Sequence, residues 1–234
     1  MTDAPNKSRA IRSFVRRAGR MTASQQRALD ELWPEFGVEY ADMPLDFGQL
    51  FGRSAPVVLE IGFGNGESLV TAAAARPDLD FLGIEVHEPG VGHCLIRIRQ
   101  AGIGNLRLIA HDAMEVLNKQ IPPASLSRIN LLFPDPWPKK RHHKRRIVQA
   151  PFLDLAARAL EPGGSLYIAT DWLNYAEHID EILASRDDFG LVECREHGGD
   201  APLDRASTKF EARGLRRGHR IWDWHFIRAK KTRM

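Results

Sequence analysis

A single carboxylate, Asp135, stands between two prolines and directly before a dense run of positive charge. The stretch 133–146 reads FPDPWPKKRHHKRR, and six of its last eight residues are Lys or Arg. A cationic tract attracts phosphates, whereas a carboxylate accepts hydrogen bonds or lies against a cation. We therefore expect a phosphate-bearing ligand to be held beside an acidic pocket, with Trp137 either stacking on a base or capping the core.

A glycine-rich turn is a second candidate for ligand binding. The sequence LEIGFGNGES, residues 59–68, places Gly62, Gly64 and Gly66 after an apolar run that is typical of a buried strand. Glycines allow the backbone to turn tightly and to approach a ligand without a Cβ in the way. Glu85 ends the next apolar run, where a carboxylate can accept hydrogen bonds from both hydroxyls of a ribose. The pattern indicates a nucleoside-type cofactor, although a tightly packed turn would use the same glycines.

Acidic residues around this turn favour S-adenosyl-L-methionine over a dinucleotide. The pyrophosphate fingerprint needs its third glycine where Glu67 stands, and an anion at a helix start opposes a phosphate. Asp112 follows the third predicted strand, where its carboxylate could accept from an adenine amine or cap the next helix. Four carboxylates, those of Glu60, Glu85, Asp112 and Asp135, would suit a ligand that carries a sulfonium and an ammonium group.

Positive charge is concentrated in four segments of the chain. Residues 7–20, 139–146, 205–220 and 228–233 hold 22 of the 33 Lys and Arg residues and one acid, Glu211. Their charge is about +21, so the remainder of the chain carries about −18 although the formal net charge is only +3. This division predicts an acidic body with a surface that binds a polyanion such as nucleic acid.

Composition excludes several classes of protein. The chain has 234 residues, 43% of them hydrophobic, and can bury one medium-sized core. Cys94 and Cys194 lack the spacing of a disulfide framework or a zinc site. His142 and His143 have no partners at metal-ligand spacing, so no metal is expected. No signal peptide or membrane-length apolar run is visible, and we predict a cytoplasmic protein that does not associate with membranes.

Apolar runs that alternate with amphipathic segments predict the fold. Strands are expected at 57–62, 81–86, 106–110, 128–133 and 165–170, with helices between them, and two further strands within 191–197 and 221–229. A first helix, capped by Thr22 or Ser24, is expected to end at Pro34. A later helix, 152–164, is expected to end at its Pro-Gly-Gly sequence. This order predicts an α/β fold with a doubly wound, mostly parallel seven-stranded sheet and an antiparallel C-terminal edge strand.

The start of the chain differs in composition from the rest. Residues 1–20 are polar and basic, and we predict that they form a flexible N-terminal arm. Residues 21–234 contain no linker-like stretch or internal repeat. They are therefore expected to form one domain.

Six motifs spread over nearly the whole chain resemble the bacterial tRNA (guanine-N7-)-methyltransferase family. They are IRSFVRRAGRMT, LEIGFGNGESL, GIEVHEPGV, FPDPWPKKRHHKRRI, ATDWLNYAEHI and TKFEARGLRRGH. The glycine loop is shared by many methyltransferases, whereas PDPWPKKRHHKRR and TKFEARG are highly specific. The resemblance implies a Rossmann-like class I methyltransferase that transfers a methyl group from S-adenosyl-L-methionine to N7 of a guanosine in the variable loop of tRNA.

The resemblance also implies roles for individual residues, with Asp135 as the candidate catalytic residue. Cofactor contacts would come from Glu60, Glu85, Asp112 and Asp135, next to the glycines Gly62, Gly64 and Gly66. Substrate contacts would come from Lys139, Asp171, Thr208, Lys209, Phe210 and Glu211. RNA would be bound by Arg141, His142, His143, Lys144, Arg145 and Arg146. Spacing alone leaves two alternatives open, because Asp171 could cap a helix and Glu211 could be a salt-bridge partner.

The chemistry of guanine limits what the site must supply. N7 carries a free lone pair at neutral pH, so no general base is needed, and Asp135 and Asp171 are expected to orient the base and stabilise charge. Alternatives are a methyltransferase acting on another RNA or another base nitrogen, a non-catalytic RNA-binding protein and a nicotinamide-dependent oxidoreductase. The expected partner is tRNA, and the chain is expected to be a monomer or homodimer without an obligatory protein partner.

Overall fold

The computed structural model describes residues 12–14, 19–199 and 205–230. Most of the predicted N-terminal arm, residues 1–20, lies outside the described residues. The flexibility of that arm therefore stays a prediction.

A seven-stranded sheet forms the centre of the molecule, as the sequence predicts. The strands are β1 (Val57–Ile61), β2 (Asp80–Ile84), β3 (Leu106–Ile109), β4 (Leu126–Leu132), β5 (Leu160–Thr170), β6 (Phe189–His197) and β7 (Ile221–Arg228). Their spatial order is β3-β2-β1-β4-β5-β7-β6, with β1 to β5 parallel and β7 antiparallel to both of its neighbours. The predicted antiparallel edge strand is therefore β6 and not the last strand of the chain, because β7 is inserted between β5 and β6.

Helices cover both faces of this sheet. They are α1 (Ala23–Phe36), α2 (Phe47–Phe51), α3 (Glu67–Ala75), α4 (Glu88–Ala101), α5 (Ala113–Lys119), α6 (Ala150–Ala159), α7 (Leu173–Ala184) and α8 (Lys209–Arg216), with a 3-10 helix at Lys140–Arg145. Along β1, Val57, Leu59 and Ile61 join the core beneath α5, α6 and α7, whereas Val58 joins the core beneath α1, α3 and α4. Because both faces of β1 are covered, its sequence is apolar at nearly every position.

The first helix runs past the proline that was expected to end it. Thr22 is the N-cap, with its side chain accepting from the Gln25 backbone N–H, which confirms one of the two predicted caps. Pro34, however, lies inside α1, and the expectation that it ends the helix is wrong. In the last turn a proline removes only one backbone hydrogen bond, and burial of Phe36 in the core offsets that loss.

The boundary between α6 and β5 also differs from the expectation. The helix ends at Ala159 and the strand begins at Leu160, so the Pro-Gly-Gly sequence belongs to the strand. Leu160 pairs with Leu126, and regular pairing with β4 resumes only at Ser165 after a shift in register. Gly163, with φ of 90°, accommodates this irregularity. Prolines and glycines mark both helix ends and bulges, and the sequence pattern does not distinguish them.

Gly66 allows α3 and α4 to approach each other closely. It is the N-cap of α3 and has φ of 75°, a conformation that residues with a Cβ adopt at a cost. A Cβ at this position would overlap the Sγ and Cβ atoms of Cys94 on α4. The glycine is therefore required for both its backbone angle and its packing.

Replacing Gly66 with alanine should lower the free energy of unfolding by roughly 2–5 kcal/mol, because strain of the left-handed backbone and overpacking against Cys94 add together. Urea denaturation measures this change. Gly102→Ala is the matched control, since Gly102 has φ of 63° but no atom within 4 Å of an added Cβ. Gly102→Ala should lower the free energy of unfolding by only about 1–2 kcal/mol. Equal losses in the two variants would contradict the packing role of Gly66.

Candidate active site and nucleic-acid interface

A cavity of about 430 Å³ opens at the carboxyl ends of β1, β2 and β4. The chain passes from β1 outward to β2 and β3 and then returns to β4 on the other side of β1. The connections after β1 and β4 therefore diverge and leave a crevice between them. Among the residues that line it are Gly62, Gly64, Glu85, Asp135, Lys209 and Phe210. The crevice thus brings together the glycine turn, two of the four predicted cofactor acids and part of the predicted substrate segment.

Glu85 is held in place by backbone donors around the glycine turn. One carboxylate oxygen accepts from the Gly64 N–H at 2.9 Å, and the other accepts from the N–H groups of Val86 and His87 at 2.7 and 3.0 Å. These contacts fix the carboxylate at the wall of the cavity. A hydroxyl donor of a ligand would meet an acceptor that is already oriented.

Glu60 lies deeper than the other acids. Its side chain is buried, with the Ser68 hydroxyl donating to one oxygen at 3.4 Å. Burial penalises the charged form and raises the pKa of Glu60 from 4.5 to about 7. Glu60 does not line the main cavity, but it lines a small adjoining gap of about 20 Å³ together with Thr208, Lys209 and Phe210. A positive group brought to this gap would favour the ionised carboxylate.

Asp112 acts as a helix cap in this structure. Its side chain accepts from the Met114 N–H at 3.0 Å at the start of α5, which is the alternative left open by its spacing. Its neighbours His111 and Ala113 line the cavity, whereas Asp112 is not among the lining residues. Contact between Asp112 and a cofactor therefore stays a prediction.

The three glycines of the turn divide into two kinds. Gly62 and Gly64 line the cavity with φ of 74° and 60°, and a Cβ on Gly62 would point into open space. They leave the backbone accessible to a ligand. Gly66 is buried against α4 and does not line the cavity, so its close packing is observed and its predicted ligand contact stays a prediction.

The turn that carries Asp135 has an unusual backbone. Phe133 and Trp137 both have positive φ, 54° and 45°, although neither is glycine. Conformations of this kind cost about 1–3 kcal/mol each and persist where the surroundings impose them. Between them, Pro134 and Pro136 restrict the backbone on each side of Asp135. Asp135 is exposed at the mouth of the cavity, as its position after β4 predicts.

Trp137 neither enters the core nor presents both faces to solvent. Its indole N–H donates to the Ser13 carbonyl oxygen at 3.0 Å, and the Arg145 guanidinium lies 4.2 Å from the ring centre. Arg145 also donates to the carbonyl oxygens of Arg12 and Phe14. Ser13 and Phe14 in turn line the cavity. Sequence reasoning missed this contribution: residues 12–14 lie within the motif IRSFVRRAGRMT, but no site residue was predicted there.

The basic tract borders the cavity at both of its ends. Asp135 precedes it and Ile147 follows it, and both residues line the cavity. The tract itself forms the 3-10 helix after Lys139, which is its N-cap. Lys139, Lys140, Arg141 and Lys144 are exposed, whereas His142, His143 and Arg145 are partly buried. The structure thus places accessible positive charge next to the acidic cavity, on the same side as the glycine turn.

Arg146 does not belong to this exposed surface, contrary to the prediction that it binds RNA. It is 2% exposed, and its guanidinium donates to the carbonyl oxygen of Pro136 and to both oxygen atoms of Asn174. It also lies 4.8 Å from the ring centre of Tyr175. With these partners it fastens the Asp135 turn to α7, and phosphates cannot reach it.

The predicted substrate segment 208–211 divides between surface and interior. Lys209 and Phe210 are exposed and line the cavity. Thr208 and Glu211 are buried and form a capping box at the start of α8, and Glu211 is paired with Arg205 at 2.8 Å. Direct contact of Thr208 and Glu211 with a substrate is therefore not supported. Glu211 forms a salt bridge with Arg205, which is the alternative that the sequence spacing had left open.

Asp171 lies beside the main cavity rather than in it. One carboxylate oxygen is 2.9 Å from Nδ1 of His219, and the residue lines a neighbouring open cleft with Trp172 and Trp222. Trp172, not Asp171, is the N-cap of α7, so the capping alternative is wrong. Substrate contact by Asp171 remains a prediction.

Two further expectations concern absences. Among the described residues, no group of three or more His, Cys, Asp or Glu side chains could hold a metal ion. A search of the same residues finds no helix both long and apolar enough to cross a membrane. Neither finding bears on residues outside the described ranges.

Comparisons with known proteins agree with this geometry. Residues 54–224 match the family model described as putative methyltransferase. The tRNA (guanine-N(7)-)-methyltransferase of Yersinia enterocolitica is 55% identical over 222 residues, covering 95% of this chain and 93% of the relative. The protein of the same name from Salmonella typhimurium is 54% identical over 222 residues, covering 95% and 93%.

Solved structures share the fold at low sequence identity. A 16S rRNA (adenine(1408)-N(1))-methyltransferase from Catenulisporales acidiphilia, solved with its cosubstrate SAM, is 15% identical with a TM-score of 0.58, covering 81% of this chain and 94% of that one. TrmN from Thermus thermophilus is 18% identical with a TM-score of 0.53, covering 87% of this chain and 48% of that one. These likenesses confirm the fold class predicted from the sequence.

The raised pKa of Glu60 predicts a pH dependence of stability in the absence of ligand. Between pH 4.5 and 7 the unfolded chain releases a proton that the folded protein retains, so the free energy of unfolding should fall as pH rises, by up to roughly 3 kcal/mol. Glu60→Gln should remove this contribution. Urea denaturation of both proteins from pH 4.5 to 8 measures the difference, and an identical pH dependence would contradict the prediction.

Proposed function

Since the chain belongs to the tRNA (guanine-N(7)-)-methyltransferase family, we propose that it transfers a methyl group from S-adenosyl-L-methionine to N7 of a guanosine in the variable loop of tRNA. The observation that carries the proposal is the placement of the exposed basic tract. The tract lies between Asp135 and Ile147, and both of these residues line the cavity that contains the glycine turn. A polynucleotide held by the tract would present a base at this rim.

The residues of the cavity fit the proposed cofactor. A volume of about 430 Å³ lies in the range of small-molecule sites. Glu85 offers an oriented carboxylate to ribose hydroxyls, and Gly62 leaves its backbone open to close approach. Asp135 supplies negative charge for a ligand with two cationic groups, and Glu60 would ionise if such a group reached the adjoining gap. S-adenosyl-L-methionine, when bound, supplies an electrophilic methyl group on its sulfonium sulfur.

The protein has little proton chemistry to perform. Guanine N7 forms the new bond to carbon with its own lone pair, and the positive charge ends on the purine ring with no proton lost. A base is therefore not needed for bond formation. The site must hold the purine in line with the methyl group and exclude water.

Asp135 is suited to orienting the base. Guanine presents N1–H and an N2 amino group as neighbouring donors, and one carboxylate can accept from both. Adenine lacks this pair of donors, so the contact would favour guanine by about 1–3 kcal/mol. We therefore assign Asp135 an orienting and electrostatic role rather than that of a general base.

Lys209 and Phe210 line the same cavity as Asp135. Phe210 is 43% exposed, and one ring carbon would be 3.5 Å from a Cβ added to Gly64. An exposed aromatic ring at this place can stack on a nucleobase, and the Lys209 ammonium can bind the adjoining phosphate. This assignment retains Lys209 and Phe210 as substrate contacts.

Access to N7 limits the conformation of the RNA. N7 lies on the major-groove edge, which is deep and narrow in an A-form helix. The target must therefore be unpaired or withdrawn from its contacts, at a cost of a few kcal/mol. Phosphate contacts with Lys139, Lys140, Arg141 and Lys144 can offset that cost.

The cellular setting follows from the substrate. A tRNA-modifying enzyme is expected in the cytoplasm, where its substrate is found. We expect tRNA to be its only obligatory macromolecular partner, with the chain acting as a monomer or homodimer.

Incubation with unmodified tRNA and methyl-labelled S-adenosyl-L-methionine should yield labelled N7-methylguanosine in the variable loop. Nuclease digestion and chromatography identify the nucleoside, and fragment mapping gives its position. Because no proton is abstracted, the single-turnover rate should not rise steeply between pH 7 and 9. The proposal would be contradicted if the labelled methyl group were found on another base nitrogen, or if only RNAs other than tRNA were labelled.

Asp135→Asn tests the assignment of an orienting role within the same assay. The variant should methylate more slowly, because an amide accepts from only one of the two guanine donors with a neutral oxygen. Its rate should show the same flat pH dependence as the wild-type protein. A steep rise in the wild-type rate with pH that Asp135→Asn abolishes would show that Asp135 removes a proton.

Exposed charge on the tract should govern the salt dependence of tRNA binding. Replacing Lys140, Arg141 and Lys144 together with glutamine should reduce the slope of log affinity against log salt by about 2, because each lost phosphate contact on a single strand changes it by about 0.7. Filter binding of tRNA between 50 and 300 mM salt measures the slope.

The control replaces three exposed cations at the end of the sheet opposite the cavity, Arg76, Arg99 and Lys119, with glutamine. They lie at or just beyond the C-terminal ends of α3, α4 and α5. The net charge change is the same in both variants. Equal slopes in the two triple variants would show that total charge, and not the tract, determines binding.

A further inference from the structure

We propose that Arg205 is a positioning residue for methyl transfer, because it joins the turn that carries Asp135 to the first turn of α8 and so fixes Lys209 and Phe210 over the cavity. The inference rests on the proposed function and extends it to a residue outside the cavity. Arg205 is absent from the lining residues, and its side chain is 2% exposed. It can therefore act only through its neighbours.

The Arg205 guanidinium is held by two buried carboxylates. Its Nε and one terminal nitrogen donate to the two oxygens of Asp223 at 2.8 and 3.0 Å. The other terminal nitrogen donates to Glu211 at 2.8 Å. Asp223 and Glu211 side chains are each 2% exposed. Paired donors of this kind specify the position of both carboxylates, which a single flexible ammonium would not do.

Glu211 transmits this position to the start of α8. The oxygen that accepts from Arg205 also accepts from the Ser207 hydroxyl at 3.2 Å and from the Thr208 N–H at 3.3 Å. In return, the Thr208 hydroxyl accepts from the Glu211 N–H at 3.1 Å. The capping box that starts α8 is thus fixed to Arg205, and Lys209 and Phe210 lie within it.

Arg205 also contacts the other side of the site. Its guanidinium carbon lies 5.5 Å from the ring centre of Phe133. Phe133 adopts a left-handed backbone conformation two residues before Asp135. One side chain therefore contacts both the Asp135 turn and the start of α8, and both of these segments line the cavity.

The sheet provides a rigid base for this arrangement. Asp223 lies in β7 opposite Ala169 of β5 and Arg195 of β6, in the interior of the sheet. His197, the last residue of β6, places Nε2 at 2.7 Å from the second Asp223 oxygen, and both side chains are buried. The backbone of Asp223 is therefore fixed by the sheet, and its carboxylate is also held by His197, independently of Arg205.

On the side of the glycine turn, the first turn of α8 is closely packed. The gap between its first turn and the glycine turn is only about 20 Å³, which is room for about one water molecule. Phe210 packs toward Gly64, and Glu60 lines the same gap. A small shift of the first turn would therefore change the shape of the cavity rim where the base must be aligned.

A purely stabilising role would not require this choice of residues. Two carboxylates and a guanidinium lose hydration when they are buried, and well-packed apolar residues in their place are often as stable or more so. What the ionic cluster adds is a fixed geometry. The expected consequence of disturbing it is a loss in the rate of transfer rather than in affinity.

Arg205→Lys tests the proposal, because lysine keeps the positive charge but cannot donate to Asp223 and Glu211 in the same geometry. We expect kcat to fall by about 10- to 100-fold, as for a misplacement of about 1 Å. KM for tRNA and Kd for S-adenosyl-L-methionine should each change less than about threefold. Single-turnover kinetics and calorimetry supply these values.

Arg186→Lys is the matched control. Arg186 also donates to two carboxylates, Asp188 and Asp154, and is largely buried, but it follows α7 and lies outside the cavity. The control should lose stability without losing kcat. If Arg205→Lys and Arg186→Lys lose stability alike and both keep the wild-type kcat, the proposal is overturned.

A double-mutant cycle with Phe210→Ala tests the route of action. If Arg205 works by placing the first turn of α8, then the double variant should be hardly slower than the slower single variant. Amide hydrogen exchange should also be faster over 208–212 in Arg205→Lys, with no substrate present. Additive losses in kcat together with unchanged exchange would show that Arg205 does not act through α8.

Glu211→Gln covers the case in which Arg205→Lys does not fold. Glutamine can still complete the capping box but does not carry the charge that pairs with Arg205. The same fall in kcat with accelerated exchange is expected, and wild-type kcat and exchange would overturn the proposal. The exchange measurement needs no activity, so a wild-type protein that fails to methylate tRNA would disprove the proposed function without deciding the role of Arg205.

Discussion

The reversal of strand order between β1 and β4 is the constraint on which the site depends. The chain builds the sheet outward from β1 and then returns to add β4 on its other side, so the two following turns separate. One turn carries the glycines and the other carries Asp135. Since the basic tract follows Asp135 directly, the same geometry brings acidic and basic groups to one opening. Ligand specificity then depends on the side chains of these turns and not on the sheet.

Helix α8, whose first two residues line this opening, is held in place at both of its ends. At its start the capping box is fixed by Arg205, and toward its end Gly214 packs so closely on Asp171 that a Cβ there would lie 2.9 Å from the carboxylate. Asp171 is in turn paired with His219 just after the helix. Glu211 and Asp171 make contacts that hold the helix, whereas Lys209 and Phe210 are exposed and line the cavity.

Periodicity and charge predicted most of the fold and the general place of the site. Strand-helix alternation gave the parallel sheet, and the position of Asp135 after an apolar run placed it at the cavity mouth. What the pattern could not reveal depends on contacts made far along the chain. Arg146 belongs to an unbroken basic run, and only its approach to Asn174 and Tyr175 shows that it is buried. Proline likewise breaks helices in general, but Pro34 is tolerated because it lies in the last turn of α1.

The two edges of the sheet are protected unequally. Beside β3, the chain after α1 runs alongside the strand, where the Val38 N–H donates to the Leu108 carbonyl oxygen. At the other margin, seven successive residues of β6 are exposed, including Leu191 and Val192. A bulge at this point and the neighbouring charges Glu193 and Arg195 oppose the addition of a foreign strand. Replacing those charges with apolar residues would create a template for intermolecular β-pairing, so solubility at high concentration is controlled at the margin farthest from β3.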